Sequence, residues 1–187
     1  MRRGVLALLV AAGLATGAAA QDAGVLVIEV DGSVKGTVEV ALNPAAPHHA
    51  ERLKELARAM AYDGVVFHRV IDGFMAQTGD VEFGTKTAFA EGRAGTGGSE
   101  LPNLPAEFSD APFKRGTVGM ARAQDPDSAN SQFFIMFADG DFLNGQYTVV
   151  GEVVSGQEVV DAIRRGEGAN GEVAEPDWMA SVRVKGE

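Results

Sequence analysis

The chain has 187 residues, with 26 acidic side chains against 16 basic ones, a net charge of −10 at neutral pH and no cysteine. That balance argues against nucleic acid and anionic membrane surfaces as partners, because both repel a polyanion. The lack of thiols excludes a disulfide framework and a lipid anchor on cysteine, so stability has to come from packing.

Residues 1–20 read as an export signal. Arg2 and Arg3 give a positive start, residues 4–15 (GVLALLVAAGLA) form a short apolar run, and Ala18-Ala19-Ala20 supplies the small residues that a signal peptidase accepts. The run is shorter than the ~20 residues that span a bilayer, so cleavage before Gln21 is expected rather than a retained anchor. The mature chain, 21–187, is expected to be a single domain in the periplasm, reached through the general export pathway and not stably membrane-bound. Losing Arg2 and Arg3 leaves 14 basic residues against 26 acidic, a net charge of −12.

The mature chain opens with GVLVIEV and VKGTVEVAL about Asp31-Gly32-Ser33, two strand-like runs in a hairpin. PHHAERLKELARAM then changes period: Ala50, Leu53, Ala57 and Met60 share one helical face, with Pro47 at the helix start. His48 and His49 point about 100° apart on that helix, so they cannot share a metal, and both read as surface residues. Strand character returns over 65–70, where His68 reads as a satisfied structural histidine. Residues 81–112, rich in Gly, Pro and acids, read as a long surface excursion.

GTVGMARA and SQFFIMFA are the next strands, and Asn144-Gly145 is a hairpin signal before QYTVVGEVV. Ser155-x-x-Glu158 has the form of a capping box, with Arg164, Arg165 and Gly166 closing the short helix. WMASVRV supplies a last strand, with Trp178 packed on it. Many antiparallel strands with two short helices predict a closed or nearly closed β-barrel carrying helices at its ends.

The usual chemistry is missing. No GxSxG or HExxH occurs. GTGGSE (95–100) lacks the Lys of a phosphate cradle and reads as a surface turn. DPDSAN (125–130) lacks the Gly and closing Glu of a calcium loop. No metal and no cofactor is implied. What remains is FHRVIDGFMAQTGD (67–80) and its echo in 119–151, both dense in Phe and Met around Arg69, Gln77 and Gln132. Stripes of Phe and Met are usually core. Arg69 argues for a site, because a guanidinium is almost never buried without a partner and no acid lies in its strand.

These stretches resemble the cyclophilins, a family of peptidyl-prolyl cis/trans isomerases. FHRVIDGFMAQTGD is similar to their FHR-x-I-x-GFM-x-Q-x-GD signature, GTGG and SQFFI recur in the right order, and MARAQDPDSANSQFFI looks like the bacterial branch. The resemblance implies a mainly β fold, an eight-stranded antiparallel β-barrel capped by two short α-helices, and proline-containing polypeptides as substrates. It makes Arg69 the catalytic group. Phe74, Met75, Phe134 and Leu143 would form the proline pocket, with Phe142 and Tyr147 closing its edge. Gln77 would hold Arg69 and the substrate backbone, with Gln132 close by. Ala121, Arg122 (through its backbone) and Ala123 would line the groove, with Thr96 at its far rim. Many eukaryotic members carry Trp at the position of Phe142, an indole donor offered to cyclosporin, so weak cyclosporin binding is implied. Two other classes compete: a proline-peptide binder or holdase on the same barrel, and a β-sandwich carbohydrate binder with exposed aromatics.

Overall fold

A computed structural model describes residues 23–89 and 92–187; the leader signal lies outside the described residues. Strands β1 (Val25–Asp31) and β2 (Gly36–Leu42) form the first hairpin, in the register Leu26↔Val40 and Ile28↔Val38. Period-2 alternation turns Leu26, Ile28, Val30, Val38, Val40 and Leu42 inward, all buried. Each such side chain contributes roughly 1.5–3 kcal/mol of apolar burial.

Helix α1 (Pro47–Arg58) begins at Pro47 as the sequence predicts and lays Ala50, Leu53, Leu56 and Ala57 against the sheet. Met60 leaves that face. It stands two residues past the helix with φ +56° and 59% of its surface exposed. His49 is also unlike its surface reading: it is fully buried, its Nδ1 2.6 Å from Glu107 Oε2. The same carboxylate accepts the His48 and His49 backbone N–H groups at 3.1 and 3.0 Å, capping the helix from 58 residues away. Burial holds the His49 pKa below its usual value; burial pushes Glu107 up, but the hydrogen bonds from the His49 ring and the His49 and His48 backbone together outweigh it and hold Glu107 low. A neutral imidazole therefore donates to a carboxylate.

Strands β3 (Arg69–Ile71), β4 (Met75–Thr78), β5 (Thr117–Met120), β6 (Phe133–Met136), β7 (Val149–Ser155) and β8 (Trp178–Val184) complete one antiparallel sheet in the order β3-β4-β6-β5-β7-β2-β1-β8. Its ends meet through isolated backbone bonds, Phe67 N to Asp177 O at 2.9 Å and Met179 N to Val65 O at 2.8 Å, so the sheet curls into a nearly closed barrel. Residues 65–68 are thus a stitched connection, and the ladder begins only at Arg69. Among the described residues of 81–112 there is no named strand or α-helix, as expected of the long excursion.

Helix α2 (Gln157–Ala162) packs on β2, while α1 packs on β8 and β7. The capping box does not form: Ser155 ends β7, and Gly156 in a left-handed conformation (φ +82°) is the N-cap without a side-chain bond. Arg164 and Arg165 lie beyond the helix and pair with Glu175 and Asp72. Asn144-Gly145 does not close a β6–β7 hairpin, because β5 lies between those strands and pairs with both through Val118. A 3-10 turn (Asp141–Leu143) makes the crossing, and Asn144 Oδ1 accepts from Phe113 N at 2.8 Å.

The core divides in two. The large cluster fills the barrel, while Met75, Phe113, Phe134, Met136, Leu143 and Val149 form a second one on the outer side of β4, β5 and β6. That smaller cluster is the floor of the candidate site.

Candidate active site

Arg69 on β3 stands opposite Gln77 on β4 in the ladder, which brings Arg69 Nη1 to 3.1 Å from Gln77 Oε1. The guanidinium can only donate, so Gln77 turns its Nε2 the other way, to Gln132 Oε1 at 2.9 Å. Gln132 Nε2 then donates to Gly97 O at 2.8 Å and Gly95 O at 3.1 Å. Arg69, Gln77 and Gln132 are therefore one chain of fixed direction, anchored on the glycine loop.

The other side of Arg69 is held by a residue outside the resemblance. Its Nε donates to Asn170 O at 2.9 Å. Residues 164–174 run along the outer edge of β3, with Val70 N on Gly171 O at 2.7 Å and Gly166 N on Val70 O at 2.9 Å. Gly171 has φ +69°, and a Cβ there would stand 2.5 Å from Ile71 Cγ1, so only glycine allows this approach. Asn170-Gly171 is a turn dipeptide, the one sequence signal that marked this loop. No protein acceptor takes Arg69 Nη2 among the described residues, and no carboxylate pairs with the guanidinium.

Arg69 opens on a cavity of about 400 Å³. Met75, Phe134 and Leu143 are its buried floor, and Phe74, Phe142 and Tyr147 its walls. Phe113 stacks behind Phe134 at 5.8 Å, and Tyr147 meets Phe134 edge-on at 5.8 Å. Phe142 leans on Phe74 at 5.5 Å yet keeps 65% of its surface exposed. A second cavity of about 520 Å³ adjoins it, lined by Thr96, Ala123, Gln132 and the polar residues Ser99 and Asn130. Gln77, Ala121 and Arg122 line both. All thirteen residues singled out in the sequence therefore lie on one two-lobed groove, apolar at one end and polar at the other.

The Arg122 side chain does more than its expected backbone role. Its Nη2 donates to Gln146 O at 2.9 Å, its Nη1 to Ala123 O at 2.8 Å, and its guanidinium lies 4.5 Å from the Tyr147 ring centre. The glycine loop is likewise more than a surface turn. Buried Asp80 accepts the N–H groups of Gly95 and Gly97 at 2.7 and 2.9 Å on Oδ2, and those of Glu82 and Phe83 on Oδ1. The loop's amides are thereby spent inward, while its other side walls the polar cavity. His68, beside Arg69 in the chain, lines neither lobe. It is buried: among the described residues neither ring nitrogen has a hydrogen-bond partner of good geometry, and burial, against the opposing pull of Asp80 and the Val66 backbone, brings its pKa down to about 4, so the ring is neutral.

Arg69 thus stands at the lip of a cavity floored by Met75, Phe134 and Leu143. Comparison with known proteins shows which family shares this architecture. The family description "Cyclophilin type peptidyl-prolyl cis-trans isomerase/CLD" matches residues 25–184. A "Probable peptidyl-prolyl cis-trans isomerase" of Brucella suis is 60% identical over 153 residues, covering 80% of this chain and 78% of the relative. "Peptidyl-prolyl cis-trans isomerase B" of Escherichia coli is 40% identical over 128 residues, covering 64% and 72% of the two chains. Among solved structures, cyclophilin AquaCyp293 from Hirschia baltica superposes with a TM-score of 0.70 at 25% identity, over 85% of this chain and 73% of that one. A Cryptosporidium parvum cyclophilin-type isomerase, solved in the presence of the dipeptide Ala-Pro, shares the fold with a TM-score of 0.72 at 22% identity, over 87% and 99% of the two chains. The chain belongs to the cyclophilin-type peptidyl-prolyl cis-trans isomerases.

Proposed function

We propose that the apolar lobe takes the proline ring of a polypeptide, that Arg69 is the catalytic group, and that the clients are exported proteins whose folding the enzyme accelerates. Turning a prolyl amide breaks its resonance, a barrier of ~18–20 kcal/mol, and leaves the uncatalysed exchange at tens to hundreds of seconds. As conjugation is lost, the prolyl nitrogen becomes pyramidal and gains a lone pair. A donor at that nitrogen, or on the moving carbonyl, binds the twisted form better than either planar one, and only such differential binding accelerates the step.

Support comes from the arrangement of the guanidinium. Gln77 and Asn170 O take Nη1 and Nε, no protein acceptor takes Nη2 among the described residues, and Met75, Phe134 and Leu143 lie buried beneath. The donor is thus set before substrate arrives. Gln77, Gln132, Ala121, Ala123 and Thr96 would receive the backbone that precedes proline.

Arg69→Ala tests the assignment. The pocket should still hold the ring, so binding of an analogue that cannot turn over changes little. Turnover of an X–Pro peptide should fall roughly ten- to 150-fold, the equivalent of ~1.5–3 kcal/mol for a lost charged hydrogen bond. Arg69→Lys should recover little, since one ammonium cannot replace a planar fork held on two sides. Equal losses in binding and turnover would make Arg69 a binding residue and the domain a proline-peptide binder.

A further inference from the structure

The chain carries 26 acidic residues, yet among the described residues no carboxylate lines either lobe of the groove, whereas two guanidiniums do, Arg69 and Arg122. The neighbouring acids are turned away. Asp80 is buried on four backbone amides, Asp125 accepts from Asp127 N, and Asp127 accepts from Ala106 N. Among the described residues neither arginine is ion-paired.

Arg122 occupies the junction. It lines both lobes, and its partners are the carbonyls of Gln146, Ala123 and Gln124 and the face of Tyr147. These neutral acceptors fix the guanidinium in place without cancelling its charge. A peptide with proline in the apolar lobe has to carry the residues before it across Ala121 and Arg122. A carboxylate on that stretch meets a positioned cation, and an ammonium meets a like charge. The net charge of −10 works the other way at long range, but that field is screened beyond ~8 Å at physiological ionic strength, while a contact pair is screened much less.

We propose that Arg122 is a specificity-determining residue that favours X–Pro sequences with an acidic side chain at one of the two positions before proline. The proposal rests on the apolar lobe being the proline site. Its test compares peptide pairs that differ only in Glu or Gln at those positions, which share a shape and differ in charge. Wild-type kcat/KM should favour Glu about two- to fivefold at one of them, the scale of an exposed ion pair. The ratio should approach one in Arg122→Gln, and in the wild type at ~1 M salt, where the screening length is ~3 Å. Lost packing on Tyr147 would slow both peptides of a pair alike and leave the ratio unmoved, so the ratio separates charge from structure. A wild-type ratio of one or below at both positions, or a preference that survives Arg122→Gln, would overturn the proposal. Turnover of no peptide at all would instead sink the proline-site reading, and this proposal with it.

Discussion

Phe142 presents a mostly exposed ring at the rim of the apolar lobe, leaning on Phe74. It offers no hydrogen-bond donor, whereas an indole in its place offers one. We propose that a cyclosporin acceptor facing this rim would go without a partner, at a net ~0.5–1.5 kcal/mol. Phe142→Trp should tighten cyclosporin binding by up to roughly tenfold; a calorimetric titration giving the same dissociation constant for both forms would place residue 142 away from the drug. At the same scale, the two buried histidines show how little one residue's identity says about its setting. Nothing local marks His49 for burial, because its partner Glu107 is 58 positions away. His68 follows a core phenylalanine and precedes Arg69, and only the assembled structure shows that among the described residues both its nitrogens lack a partner of good geometry.

Helix α1 ends in a Schellman motif, with Ala61 N on Leu56 O at 2.9 Å and Met60 N on Ala57 O at 3.0 Å. That geometry puts Met60 in the left-handed region at φ +56°, the position that glycine usually fills, while its side chain buries little. The left-handed conformation costs an L-residue ~1–2 kcal/mol, partly offset because glycine loses more backbone freedom on folding. Met60→Gly should therefore stabilise the domain by about 0.5–1 kcal/mol and raise the thermal midpoint by a few degrees, with kcat/KM unchanged; a lower midpoint would mean that the Met60 side chain makes a contact worth more than the strain. The sequence pattern continued the helical face through Met60 because the spacing persists past the point where hydrogen bonding stops. The capping box failed for a related reason: the Ser-x-x-Glu spacing is present, but Ser155 is held in the β7 ladder opposite Glu39, leaving Gly156 to turn the chain.

For the whole molecule, the export reading remains the proposal that reaches furthest beyond the barrel, with 21–187 as one mature domain acting in the periplasm. Expressed in a Gram-negative cell, the protein should be recovered from the periplasm starting at or near Gln21, as read by N-terminal sequencing; an intact Met1 in the membrane fraction would overturn cleavage. Within the barrel, the sequence alone determined what depends on neighbours in the chain: the alternation of β1 and β2, the start of α1 at Pro47, the last strand, and the motif residues that prove to share one groove. Period and turn chemistry act over a few residues, so they can be read in order. The tertiary structure decided what depends on residues far apart. It set β5 between β6 and β7, stitched 65–67 to β8, turned the glycine loop onto Asp80, and laid the Asn170 carbonyl against Arg69 across 101 positions. A backbone carbonyl has no side chain to announce it, and a charge shows its partners only once the chain has closed around it.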